Sequence, residues 1–204
     1  MGIISGIFEK GNENALMQFC NEMNGTYIEG HYGEQDGVAV TYEKWKIVID
    51  TYILRSSTSH SGFSAEYIRV RVSFIQKENF KFSIAPKDLL SSIGKIFGFQ
   101  DIEIGYPDFD NAFIIKGNDE NKIRLLFSNN KIREIISLQK GVRLEITDTE
   151  GQWGEVIPEG VSQLYLFEGG VINNIEQLKV FYALFCELLD ELSKICYIIP
   201  YECS

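Results

Sequence analysis

The sequence specifies an α+β fold in which an antiparallel β-sheet packs against several helices, with a long amphipathic helix near the C-terminal end. Three observations lead there. The middle of the chain carries β-branched and aromatic residues in short alternating runs separated by glycine. Apolar residues at helical spacing bracket and interrupt those runs. The regular strand-helix-strand alternation of a parallel sheet is missing.

Each element follows from its own pattern. Ala15, Leu16, Phe19, Cys20 and Met23 recur at spacings of three and four, which predicts a helix over Glu13 to Met23, and Asn24-Gly25 supplies its stop. Strands are expected at Thr26 to Glu29, Gly37 to Tyr42 and Lys44 to Leu54. A polar Ser56 to Gly62 segment then reads as a loop before Glu66 to Ile75, where Tyr67, Arg69, Arg71 and Ser73 alternate with Ile68, Val70, Val72 and Phe74. These two strands form a long antiparallel hairpin. Asn79 to Ile84 repeats the alternation, and Pro86 opens a short helix carrying Leu89, Leu90, Ile93 and Ile96 that Gly98 closes.

A short strand at Asp101 to Ile104, an irregular Gly105-Tyr106-Pro107 and a strand at Ala112 to Lys116 come next. Two helices follow, one capped by Asn118 or Asp119 and carrying Ile123, Leu126 and Phe127, the other capped by Asn129 or Asn130 and carrying Ile132, Ile135 and Ile136. Gly141 to Thr147 and Ser162 to Phe167 alternate like paired strands, with a polar segment around Trp153 and Pro158 between them. Asn173 with Glu176 has the form of a capping box, and Ile175, Leu178, Tyr182, Phe185, Leu188, Leu189, Leu192 and Ile195 make a wide helical stripe. Residues 1–204 read as a single domain, with 171–204 as the one stretch that could stand as a helical appendage.

Composition narrows the function classes. The 204 residues are 45% hydrophobic and 24% charged, close to globular averages, so a core forms without disulfides or a structural metal. The net charge of −10 opposes nucleic-acid phosphates and anionic membranes. Local basic groups exist at Arg69 and Arg71 and at Lys122, Arg124, Lys131 and Arg133, but no aromatic-interleaved basic run accompanies them, and nucleic-acid binding is not expected. Cys20, Cys186, Cys196 and Cys203 fall at no zinc-ligand spacing and read as free thiols, Cys203 the most exposed. Met1 to Phe8 has neither a secretory signal nor, with Gly6, a myristoylation motif, and the apolar run Val180 to Cys186 is too short to cross a bilayer. The expectation is a cytoplasmic protein with no membrane partner, and Asn24-Gly25-Thr26 is a turn, not a glycan site.

The segment Gly105-Tyr106-Pro107-Asp108-Phe109-Asp110-Asn111-Ala112-Phe113, followed by Asp119-Glu120 and Ile123-Arg124-Leu125-Leu126, resembles an uncharacterised family of bacterial proteins over about residues 64–140. In that family a strand-rich stretch leads into a Phe-Asp pair, a strand and a helix ending in a Leu-rich motif. Some of its members are tied to membranes by hydrophobic segments that this chain lacks. The resemblance implies a bacterial cytosolic protein and no assigned reaction.

Reactive groups are sparse. His31 and His60 each sit in a glycine- or serine-rich loop and read as solvated loop residues. A nucleophile at Ser56, Ser57, Ser59 or Ser61 with His60 as base lacks a nucleophile-elbow motif. Asp108 and Asp110, with Asp101 and Glu103 before them, are candidates for an acid-base pair or cation site. The structural alternative lines a solvent face with them, closes a turn with Asp110 and anchors Phe109 and Phe113 in the core. Asp148-Thr149-Glu150-Gly151 has the composition of a hairpin turn without the alternating oxygen ligands of a calcium loop, and Gly94 to Gly98 is no phosphate loop. No cofactor and no metal are expected. The leading expectation is a non-enzymatic binding protein, with the C-terminal helix as a surface for a protein partner or homodimer. The alternative is a hydrolase whose pocket gathers Asp108, Asp110 and His60 or His31 from separate loops.

Overall fold

The computed structural model describes residues 14–30, 36–58, 61–88, 100–139, 141–148, 157–172 and 174–201, and side chains in these ranges except at 55–58 and 61–64. Helix α1 (14–22) buries Ala15, Leu16, Phe19 and Cys20, the stripe its spacing predicts. It stops because Asn24 takes a left-handed φ of 51° and the Gly25 amide returns to the Cys20 carbonyl. Gly25 also lies so close to the next strand that a Cβ there would come within 2.9 Å of the Ala39 carbonyl oxygen.

The chain then runs as a meander of β1 (Thr26–Ile28), β2 (Gly37–Tyr42), β3 (Trp45–Thr58) and β4 (Ser61–Gln76). After β4 it crosses to the far side of the sheet. There β5 (Phe82–Pro86) is followed by helix α2 (Pro107–Ala112), the edge strand β6 (Phe113–Gly117) and helices α3 (Glu120–Leu126) and α4 (Asn130–Ser137). Strand β7 (Arg143–Thr147) returns beside β5, and β8 (Ser162–Gly169) closes the sheet against β4. Helix α5 (Ile175–Ile195) and a short β9 (Ile198–Pro200) on β4 complete it. The sheet order is β1-β2-β3-β4-β8-β7-β5-β6, and the described pairs are antiparallel.

Register decides which face becomes the core. One row crosses the whole sheet as Tyr27, Val38, Ile49, Val70, Leu166, Leu144, Ile84 and Ile115. From Val38 to Ile115 these residues are essentially inaccessible, and they join the buried faces of α1, α3, α4 and α5 in one cluster. Helix α5 contributes Leu178, Phe181, Leu184, Phe185, Leu188, Leu189 and Leu192, all fully buried. Burial of this kind contributes roughly 1.5–3 kcal/mol per large side chain, so α5 belongs to the core as much as any strand does. No helix among the described residues is long and apolar enough to cross a membrane.

Several boundaries differ from the sequence reading. The expected Ser56–Gly62 loop is mostly strand, because β3 and β4 stay in register to Thr58 opposite Ser61; ladder hydrogen bonds use the backbone, which serine and threonine supply as well as valine does. Strand β5 starts at Phe82 and not Asn79, since the Gln76 amide donates to the Phe80 carbonyl (3.0 Å) and accepts from the Phe80 N–H (2.9 Å), occupying those groups before pairing begins. The expected strand at Asp101 to Ile104 reduces to one bridge, Asp101 with Lys116, and one bond from the Ile102 N–H to the Ile115 carbonyl. The segment read as irregular opens α2, with Pro107 at its first turn. Asn174, not Asn173, caps α5 by accepting from the Glu176 N–H; Asn173 lies outside the described residues. So do His31, His60, Trp153, Cys203 and the expected helix from Leu89 to Ile96.

Candidate functional site

The segment from Ile104 to Phe113 holds the two candidate carboxylates, and the fold separates them. Asp110 reaches back across the first turn of α2 and accepts from the N–H groups of Ile104 (2.9 Å), Gly105 (2.9 Å) and Tyr106 (3.0 Å). Gly105 makes this feasible with a φ of 87°, which aims consecutive amides at one acceptor. Asp108 stands two residues earlier on the helix, a spacing that places the two side chains on different sides. It is exposed and has no ion-pair partner among the described residues. Asp101 pairs with Lys116 at 3.3 Å, and Glu103 is exposed. Among the described residues, no three His, Cys, Asp or Glu side chains gather closely enough to hold a metal ion.

Around Asp108 the surface is hollowed. Below α2, Phe109 is buried and stacks on Phe113 with ring centroids 4.7 Å apart, and on Phe127 at 6.0 Å. Helix α4 faces α2 because Ile132 and Ile136 are drawn into the core, which leaves Arg133, Glu134 and Ser137 turned outward. Arg133 fastens the two helices: its Nη1 donates to the Phe127 and Ser128 carbonyls, its Nη2 donates to Asn130 Oδ1, and its guanidinium lies 3.4 Å from the Tyr106 ring centroid. A cation on the last carbonyls of α3 is well placed against the helix dipole. Between the helices lies an open hollow of about 630 Å³, walled by Tyr106, Pro107, Phe109 and Leu138. A second, of about 600 Å³, runs on past Asn111, Gln139 and Asp88. Asp108 and Ser137 line both, so the two form one groove.

The opposite face of the sheet carries a polar and aromatic layer. Asp50 accepts from Arg69 Nε (2.7 Å) and Nη2 (2.9 Å) and from Arg71 Nη2. Arg69 also lies over the Tyr52 ring at 4.9 Å, and Arg143 lies over Phe167 at 5.1 Å. Burial pushes the Glu145 carboxyl up, partly opposed by Arg143, and burial lowers Arg143. The two arginines singled out as a basic patch are thus bound to a buried carboxylate. The helical basic group is also engaged: Arg124 with Glu120, Lys131 with Glu187, Lys122 over the Phe80 ring at 5.8 Å. Cys20, Cys186 and Cys196 are free thiols, and burial raises Cys186 to about 11, well away from a reactive thiolate.

Of the groove residues, Tyr106 and Leu138 were not singled out by the sequence as site residues, and Arg133 was singled out only as part of a local basic group. Pro107 followed three residues later by Asp110 carries the signal for a helix start there, and Leu138 falls off the Ile132-Ile135-Ile136 stripe. The exposed large apolar side chains among the described residues, Leu138 and Tyr106 included, lie off α5. His31, His60 and Ser59 are outside the described residues, as are the side chains of Ser56, Ser57 and Ser61. No protein-family model, curated protein or solved structure matches this chain.

Proposed function

We propose that this protein is a non-enzymatic binding protein that takes a stretch of partner polypeptide in the groove between α2 and α4. The observation that supports it is the joining of the two hollows over a Phe109-Phe113 floor, flanked by Tyr106 and a Leu138 that is 77% exposed. A single exposed leucine is ordinary, but one beside an exposed tyrosine at the lip of a groove is placed to meet another surface. Small-molecule sites usually enclose most of their ligand, whereas this groove is open along one side. Asn111 and Gln139 along it present amide donors and acceptors suited to a peptide backbone. The engagement of Asp110 by three backbone N–H groups argues against its use as an acid or base. Three free thiols fit a cytoplasmic setting.

The test is selection of a random displayed-peptide library on the purified protein, followed by binding of the selected peptides to wild type and to Leu138→Glu. Enrichment that Leu138→Glu abolishes supports the groove. No enrichment, or enrichment that survives the substitution, removes it.

A further inference from the structure

We infer that the groove prefers a cationic polypeptide, one that sets a lysine or arginine beside an apolar residue; this rests on the groove reading above. The charge at its centre is Asp108, the carboxylate shared by both hollows and without an ion-pair partner among the described residues. Of the other charges, Glu134 and Asp88 are also acidic. The basic Arg133 also lines the groove but is engaged, its donors directed to the Phe127 and Ser128 carbonyls and to Asn130, and its flat face against Tyr106. Lys87 stands next to Asp88 at the far end. An incoming cation therefore meets an available carboxylate at Asp108, within a chain of net charge −10 that attracts it from a distance. The apolar wall of Tyr106, Pro107 and Leu138 begins beside that carboxylate, so the apolar anchor and the cation sit on neighbouring residues of the partner.

A positional-scanning pool of hexapeptides incubated with the immobilised full chain, with retained peptides read by mass spectrometry, tests this. The expected result is enrichment of Lys or Arg next to Leu, Ile or Phe. Asp108→Asn should weaken that basic preference roughly fivefold, the upper end for an exposed ion pair, and raised salt should weaken it as well. Apolar enrichment with no basic preference, or a preference that Asp108→Asn leaves intact, overturns the cationic inference while the groove reading stands. No retained peptide, or retention indifferent to Leu138→Glu, overturns both.

Discussion

Replacing Asp50 by asparagine should destabilise the fold more than any surface change. The Asp50 and Arg69 side chains keep only 9% and 10% of their surface accessible and Arg71 18%, so three charges share a mostly dehydrated space on the second face of the sheet. Asp50 accepts from Arg69 twice and from Arg71 once, joining adjacent strands β3 and β4. An amide of the same shape removes the counter-charge and turns N–H groups toward guanidinium donors. Breaking a buried ion pair from one side costs about 3–5 kcal/mol, a large share of the roughly 5–15 kcal/mol that stabilises a typical domain. With a urea m-value of about 2.5 kcal/mol/M, the midpoint falls by roughly 1–2 M. The triple change Asp50→Leu, Arg69→Met, Arg71→Met should recover most of the loss, because replacing a whole buried ionic group by apolar side chains is often close to neutral. Urea unfolding followed by circular dichroism and tryptophan fluorescence reads both. A loss under about 1 kcal/mol for Asp50→Asn would refute the idea that the cluster is desolvated and mutually dependent.

Three further predictions concern the frame around the groove and the sheet. Gly117→Ala places a Cβ 2.4 Å from Ile123 Cδ1 and 2.6 Å from the Lys81 carbonyl oxygen, so it should cost about 1–3 kcal/mol in chemical unfolding. Asp110→Ala releases the three amides it holds; hydrogen exchange at Ile104, Gly105 and Tyr106 should speed up, with a stability loss of about 1–3 kcal/mol. Glu145→Gln tests a pH linkage. Burial holds the folded carboxyl above its usual 4.5, so the neutral form favours the fold below the unfolded value and that stability is lost as pH rises through the folded one. The glutamine variant should therefore match wild type in acid and exceed it near neutral pH, and equal midpoints at neutral pH would contradict the assignment.

What the sequence made legible was whatever depends on apolar period. The α1 stripe at Ala15, Leu16, Phe19 and Cys20, the alternation of Ile68, Val70, Val72 and Phe74, and the pairing of β7 with β8 appear where the residues placed them, and Asp119 and Asn129 are each one of the two caps offered for α3 and α4. Elements governed by a few polar contacts did not. Helix α2 depends on a proline at its first turn and on Asp110 folding back on the loop, and β9 is three residues long. The candidate site was half legible. Alternation placed Arg69 and Arg71 on one face, but their carboxylate, Asp50, comes from the neighbouring strand and needs register to be seen. Asp108 and Asp110 were visible as a pair, and a turn closed by Asp110 was one of the two readings offered for them; that their side chains part follows from the α2 helix, which the reading left out. Tyr106 and Leu138 line one hollow because α4 turns its isoleucines into the core.

The most direct test of the groove is a ¹H–¹⁵N spectrum of the labelled protein titrated with a peptide selected on it. Shifts concentrated at Tyr106 to Phe109 and Asn130 to Leu138, with the peptide recovered intact, are the predicted result. Shifts centred elsewhere, or cleavage of the peptide during the titration, would contradict a non-enzymatic partner site between α2 and α4.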